Sequence, residues 1–255
     1  MKRIRTAVIL AAGMGSRLHD ITGDSIPKGF LEVNGKTLIE RSIEKLRSIG
    51  IEKIYIVTGH LNEYYDKLAE EYNFIETKRN RRYRTTGSMT SLAILENELK
   101  EDFLLLESDL IYEVYGLMKT AAFDENDCVL LSGKTNSGDE CYVEVRDNNL
   151  YKISKNINEI NEVYGELVGI SKISLGLYKD MIKAYKTFMD NMKYHEESDK
   201  KTSKYDYENA IFDAAKNRKV GYLKIDNLLW GEIDDKYQLD RVKKSVLPRL
   251  ENTNI

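Results

Sequence analysis

The sequence predicts an α/β fold, with a mostly parallel sheet flanked by helices and a mixed or antiparallel subregion in its second half. Three observations carry this. Short apolar runs rich in β-branched residues alternate with segments of helical spacing over the first 80 residues. The first run, Ala7 to Leu10, breaks directly into a glycine-containing connection. From Cys128 onward, CVLLS, ECYVEVR, LYKIS and LVGISKIS follow one another as short strands separated by Asn, Gly and Asp turns.

Val8-Ile9-Leu10 is short and continuously apolar, as a strand covered on both faces must be. Gly13 and Gly15 then let the backbone approach a ligand, and the turn is expected to feed a helix whose free N–H groups attract an anion. Phe30 to Val33 reads as a strand closed by an Asn34-Gly35 turn. Apolar residues at 38, 39, 43, 46 and 49 predict a helix ended by Gly50. Lys53 to Val57 is the next strand; Asn62 is expected to cap the helix EYYDKLAEEY, and Phe74-Ile75 starts a third strand. Lys78 to Arg84 (KRNRRYR) is a solvated basic surface or a ligand-binding connection into a helix from Ser91 to Leu99. Phe103 to Leu106 is the most buried-looking strand and ends in Glu107-Ser108-Asp109, an acid placed to bind metal or to cap the next helix.

In the later half, Tyr142 and Glu144 alternate with Val143 and Val145, predicting one polar and one apolar face, in a subregion laid over the first sheet. Helices are expected at about 177–190 and 206–217, with a polar, mobile loop at 195–204 between them. Val220 to Ile225 is a further strand, and Leu228 to Asp235 leads into a last helix from Lys236.

Composition removes several classes of function. The chain has 255 residues, 39 basic and 42 acidic, so neither a polyanion-binding domain nor a nucleic-acid partner is favoured. Cys128 and Cys141 form no disulfide framework and fit a reducing cytoplasm. His19, His60 and His195 are scattered, against a histidine metal site. MKRIR before AVILAA imitates a leader, yet the apolar run is too short for one, and no stretch approaches the ~20 apolar residues of a membrane span. A soluble cytoplasmic protein is expected, with no membrane partner and the oligomeric state left open.

Two phosphate loops are excluded. G-x-G-x-x-G fails at Leu18, and a P-loop ending in Gly35-Lys36-Thr37 would need a glycine at Phe30. What remains is a strand end with Gly13, Gly15 and Ser16, flanked by the mobile cations Arg17 and Lys28, which suits a nucleoside triphosphate.

The strand followed by AAGMGSRL, the Pro27-Lys28 pair, Asp109 at a strand end and Glu232-Ile233-Asp234 before a helix together resemble the nucleotidyltransferases of the sugar-phosphate and choline-phosphate type. The resemblance runs from about residue 5 to 245. PKGFLEVNGKTLIERSI, TGSMTSL, SGKTNSGDECYVEV, YGELVGISKIS and LLWGEIDD are most similar to the 2-aminoethylphosphonate cytidylyltransferases of phosphonate biosynthesis, with the choline-phosphate enzymes as neighbours in kind. The resemblance implies a Rossmann-like (GT-A-like) fold in a single domain over 1–250. Its nucleotide part spans about 1–125, its acceptor part about 126–225 and its closing metal-binding segment about 226–245. It implies attack of a phosphonate oxygen on the α-phosphorus of CTP, with Mg²⁺ as cofactor.

By the same resemblance, Ala11, Ala12, Gly13, Gly15 and Ser16 hold the triphosphate, Arg17 grips the departing pyrophosphate and Lys28 the reacting phosphate. Thr86, Gly87 and Ser88 contact the pyrimidine, and Asp109 and Asp234 bind Mg²⁺ with Glu232 orienting that shell. For the acceptor, an aminophosphonate or a phosphocholine-like compound, the strand region offers Asp139, Glu140, Tyr142 and Glu166. The later helix start offers Tyr205, Asp206, Tyr207 and Glu208, and Trp230 is a wall or a core residue. Carboxylates suit a primary ammonium and aromatic faces a quaternary one; composition alone leaves both open.

Overall fold

The computed structural model describes residues 3–195 and 204–252, so most of the expected 195–204 loop lies outside the described residues. The sheet is built outward from β1 (Thr6–Ala11), buried at all six positions. Val8 and Leu10 enter one apolar core while Ala7, Ile9 and Ala11 enter the core on the opposite face. An unbroken apolar run is what such two-sided burial requires.

The helix expected after β1 is short: Ser16–Leu18 makes one 3-10 turn and α1 (His19–Thr22) a single α turn. Gly15 sits at φ 65, a conformation open to glycine, and turns the chain back so that a 3-10 turn at Lys28–Phe30 lies against the loop. β2 (Glu32–Val33) and β3 (Lys36–Thr37) form the hairpin that Asn34-Gly35 announced, both turn residues having positive φ. α2 (Leu38–Ser48) starts in a capping box, in which the Thr37 hydroxyl accepts from Glu40 N and the Glu40 carboxylate accepts from Thr37 N.

Then come β4 (Lys53–Thr58), α3 (Asn62–Glu71), β5 (Ile75–Arg79), α4 (Ser88–Ala93) and β6 (Phe103–Glu107). β1 pairs in parallel with β4 and β6, and β4 with β5. Asn62 is not the cap of α3. Leu61 holds that position at φ 50, and the Asn62 amide donates to Asp66 within the helix. α4 opens earlier than its apolar spacing suggested, at Ser88.

The second half comprises β7 (Leu110–Tyr112), α5 (Val114–Ala121), β8 (Cys128–Ser132), β9 (Tyr142–Arg146), β10 (Asn149–Ser154) and β11 (Gly165–Ile173). After these come α6 (Leu175–His195), α7 (Tyr207–Ala215), β12 (Gly221–Ile225), β13 (Trp230–Glu232), α8 (Lys236–Arg241) and α9 (Leu247–Asn252). The antiparallel strands do not lie over the first sheet. β11 pairs antiparallel with β6, β8 and β9, so the nine-stranded sheet continues along the path β10-β9-β11-β6-β1-β4-β5, with β8 and then β12 branching from β11. β9 also departs from its alternation: Glu144 is 2% exposed, its carboxylate accepting from Arg146 Nε and from Asn161 N, so the strand has no clean polar face.

A third apolar cluster joins Leu18, Leu31, Val33 and Leu38 to Ile111, Ile233 and Val242. Its members neighbour functional side chains in sequence. Burying Leu18 fixes Arg17, and burying Ile233 fixes both Glu232 and Asp234. Pairing of β13 with β7 sets Glu232 opposite Leu110, and Ile233 N donates to Asp109 O at 3.0 Å. Among the described residues, no helix is long and apolar enough to cross a membrane.

Candidate active site

A cleft of about 410 Å³ opens at the carboxyl ends of β1 and β6, where sheets of this kind take ligands. Ala11, Ala12, Gly13, Gly15, Ser16, Arg17 and Lys28 line one side, and Thr86, Gly87 and Ser88 line another. All the residues expected to hold a nucleotide are therefore brought together. The basic run is divided in its use: Lys78 pairs with Glu76 and Glu98, both at 3.0 Å, whereas Tyr83 and Arg84 turn into the cleft.

Opposite the glycine loop stand the acids. Asp109 lies in the tight turn between β6 and β7, just past the strand end, and is 8% exposed. Lys28 Nζ donates to Asp109 Oδ2 at 3.0 Å and also contacts the Asp234 carboxylate. Arg17 Nη2 donates to Asp234 Oδ2 at 2.5 Å, and Arg17 Nη1 to Asp139 Oδ2 at 2.9 Å. Of the two cations expected to meet phosphate, Lys28 thus bridges the two aspartates expected to meet metal, while Arg17 ties one of them, Asp234, to Asp139. Asp139, placed by sequence among acceptor contacts, belongs partly to this donor-side network. Burial would raise its pKa, but Lys155 and Arg17 together hold it below the usual value.

The carboxylates that stand close enough to share a cation overlap the expected set without matching it. Carboxylate oxygens of Glu107, Asp109 and Glu232 lie within 4.8 Å of one another, while Asp234 is taken up by Lys28 and Arg17. An all-oxygen carboxylate set suits a hard divalent cation. Glu107 was missed as a site residue; the available signal was an acid closing a strand otherwise wholly apolar.

Behind the cleft lies a second, smaller chamber of about 40 Å³, sharing Glu107, Lys155, Glu208 and Glu232 with it. Asp139, Glu140 and Glu166 line it as the sequence suggested, and so does Trp230, which is at once wall and core at 8% exposure. Glu166 is fastened by Thr135, accepting from its N at 2.9 Å and its Oγ1 at 2.6 Å. Tyr142 and Asp206 are not brought into the chamber. The Tyr142 hydroxyl donates to Glu140 Oε2 at 3.4 Å, and Asp206 accepts from Ser88 N at 2.8 Å across the cleft.

The chamber exists because of Gly169. It sits at φ 80 within a register shift of β11 against β8, and a Cβ there would lie 2.9 Å from Glu107 Oε2. The bulge makes room for a carboxylate in the middle of the sheet. Burial, then Glu208 and Asp109, push Glu107 up to about 8; burial, then Glu107 and Asp109, push Glu232 to about 8. Burial, then Asp206, raise Glu208 to about 7. Lys155 is the one cation lining this chamber among the described residues. Burial acts to lower it, but Glu232, Asp139 and Glu107 outweigh burial and raise it. No sequence signal marked Lys155, a single lysine just past β10.

A glycine loop holding cations against a strand-end acid is mirrored in the match to the MobA-like NTP transferase domain, which covers residues 7–143, more than half of the chain. The chain belongs to the MobA-like NTP transferase family. Proteins similar to this chain include the choline-phosphate cytidylyltransferase of Streptococcus pneumoniae, 36% identical over 107 residues, which are 42% of this chain and 46% of that protein. The CTP:phosphoglutamine cytidylyltransferase of Campylobacter jejuni is 26% identical over 89% of this chain and 95% of its own length. The CMP-5'-(3-aminopropyl)phosphonate synthase of Streptomyces rubellomurinus is 33% identical over 49% of this chain and 20% of that protein. The chain thus spans under half the length of several curated relatives that it matches, and nearly all of one. The inositol-1-phosphate CTP transferase of T. maritima superposes with a TM-score of 0.74 at 22% identity, covering 96% of this chain and 98% of that one, which shows the shared fold.

Proposed function

We propose that the protein transfers CMP from CTP to the phosphonate oxygen of 2-aminoethylphosphonate, giving the CMP ester and pyrophosphate. The acidic chamber beside the phosphate cleft carries this reading. A primary ammonium brings three N–H donors and needs carboxylates, which Glu140, Glu166 and Glu208 supply. A quaternary ammonium would want a cage of ring faces, and Trp230 is the only aromatic residue lining the chamber among the described residues.

The backbone of Gly13 to Ser16 cradles the triphosphate, and Thr86 to Ser88 face the pyrimidine. The phosphonate oxygen forms a bond to the α-phosphorus as the bond to the bridging oxygen of pyrophosphate breaks. A phosphonate is already ionised near neutrality, so this chain needs no general base. Lys28 stabilises charge growing on the α-phosphate, Arg17 receives the pyrophosphate, and Lys155 faces the anionic end of the acceptor. Glu107, Asp109 and Glu232, with Asp234 once its cations turn to phosphate, would hold Mg²⁺. The ion when bound would neutralise phosphate charge. A cytidine rather than another base is supported by the names of the relatives.

Pyrophosphate release is to be followed with CTP, Mg²⁺ and three acceptors: 2-aminoethylphosphonate, 3-aminopropylphosphonate and phosphocholine. The expected order places 2-aminoethylphosphonate first. Turnover of phosphocholine alone would overturn the acceptor and favour the second reading, a choline-phosphate cytidylyltransferase, for which Trp230 is the supporting residue.

A further inference from the structure

Tyr205 to Glu208, where α7 begins, touches both halves of the site. Asp206 Oδ1 accepts from Ser88 N at 2.8 Å and from Ser88 Oγ at 3.1 Å, capping α4 from 118 residues away. The same Ser88 hydroxyl accepts from Tyr207 N at 2.9 Å, and Met89 N donates to Tyr205 O at 3.3 Å. On the other side, the Tyr207 hydroxyl donates to Glu107 Oε1 at 2.7 Å, with Tyr207 only 1% exposed. Glu208 then lines the chamber. Contact at the junction is backbone against backbone. A Cβ on Gly87 would fall 2.3 Å from Tyr205 O and 2.8 Å from Asp206 Oδ1.

We propose that Asp206 is a positioning residue that couples the two binding events, so that nucleotide seated on residues 86–88 sets the chamber for the acceptor. This rests on the assignment of ligands given above. A shift of Ser88 has no slack to absorb it: it moves Asp206 and Tyr207 N, and through the buried phenol it moves Glu107, while Glu208 follows as the next residue of α7. A nucleotide that prefers one placement of Ser88 therefore selects one placement of two chamber carboxylates. Linkage makes the effect reciprocal, with the acceptor tightening the nucleotide by the same factor. The strand carrying Glu107 and the start of α4 at Ser88 are joined by this bridge in addition to the core beneath them.

The experiment measures dissociation constants by calorimetry for a non-reacting CTP analogue with a methylene α,β-bridge and for 2-aminoethylphosphonate, each alone and with the other saturating. Wild type is expected to show reciprocal tightening of about 5-fold or more. Asp206→Ala brings the factor close to one, and Asp206→Asn, which keeps an oxygen for Ser88 N, retains most of it. A merely structural role would weaken both ligands separately and leave their ratio unchanged. Tyr207→Phe cuts the other end of the bridge without changing shape, and it decides the matter if Asp206→Ala does not fold. Coupling that survives in Tyr207→Phe and in Asp206→Ala, or no coupling in wild type, overturns the proposal. Binding of phosphocholine but not 2-aminoethylphosphonate overturns only the acceptor assignment, and the same cycle with phosphocholine then tests the bridge.

Discussion

Lys28→Met is the substitution that separates charge balance from catalysis. The Lys28 ammonium is 3.0 Å from Asp109 Oδ2 and touches Asp234, with side-chain exposures of 16%, 12% and 4% for the three residues. At that separation and an effective dielectric near 20, one such pair is worth about 5 kcal/mol of Coulomb energy before desolvation. Breaking a buried pair costs roughly 3–5 kcal/mol, but Arg17 stays on Asp234 and either acid can take up a proton, so a net loss of about 1–3 kcal/mol is expected. For a chain of this length that is a fall in Tm of roughly 2–10 °C. A divalent cation competes with this ammonium for Asp109. Without nucleotide, Lys28→Met should therefore bind Mg²⁺ or Mn²⁺ more tightly than wild type, and adding metal should recover more of its Tm. Turnover moves the opposite way: loss of one charge-stabilising donor lowers kcat by roughly 10²–10³ with little change in KM for CTP. The assays are a thermal melt over a metal titration and steady-state pyrophosphate release. Near-wild-type kcat together with unchanged metal affinity would refute the placement of Lys28 between the acids and the reacting phosphate.

Three further outcomes are expected from the geometry. Gly169→Ala, strained at φ 80 and with its Cβ 2.9 Å from Glu107, should cost ~1–3 kcal/mol and raise KM for the acceptor well above any change for CTP; equal changes in both would sink it. Arg84→Ala removes a cation that lines the cleft and should raise KM for CTP about 5-fold at unchanged kcat, as for an exposed charge worth ~1 kcal/mol; an unchanged KM returns KRNRRYR to plain surface. Lys45 is lowered to about 8, chiefly by burial with Arg41 adding, beneath the Tyr112 ring 4.9 Å away. Between pH 8 and 10.5 the unfolded chain holds more protons at this residue, so stability rises with pH across that window and the full cost stands below it. Lys45→Met should gain up to ~3 kcal/mol at pH 7, less the lost ring contact, and the gain should fade by about pH 10; a Tm difference independent of pH would show that Lys45 is not the cause.

The parts of the fold that were legible in the sequence are those where burial leaves one pattern possible. β1 and β6 are covered on both faces, so their residues read as unbroken apolar runs. Thr37 to Glu40 and Asn34-Gly35 carry their structure in local hydrogen bonds and turn chemistry, which need no partner elsewhere. What was not legible depends on partners. The helix expected after the glycine loop is present but short: Leu18 is drawn into the cluster with Ile111, Ile233 and Val242, and the chain turns away after one turn. Glu144 fits an alternating strand by its type, yet Arg146 and Asn161 bury it.

The same distinction divides the site. The donor half is nearly contiguous, residues 11–17 with 28 and 86–88, and a phosphate needs generic features that leave a mark: small residues, free N–H groups and mobile cations. The chamber draws Glu107 from β6, Glu140 from the approach to β9, Lys155 from the end of β10, Glu166 from β11, Glu208 from α7 and Glu232 from β13. Each is an ordinary charged residue in its own segment, and acids abound in this chain. Their meaning comes from Gly169, whose bulge leaves space for a carboxylate where a sheet interior would otherwise close. It comes also from β13 pairing with β7, which carries Glu232 to within metal-binding distance of Asp109 and Glu107. A sequence reading seeks acids at strand ends, and it found Asp109 that way. It passed over Glu107: the acid closing an apolar strand was visible, but nothing local says that it has an aperture opposite it. On the proposed reading, selectivity for the acceptor resides in β-sheet register, and shifting that register by one residue would remove the chamber while leaving the phosphate loop intact.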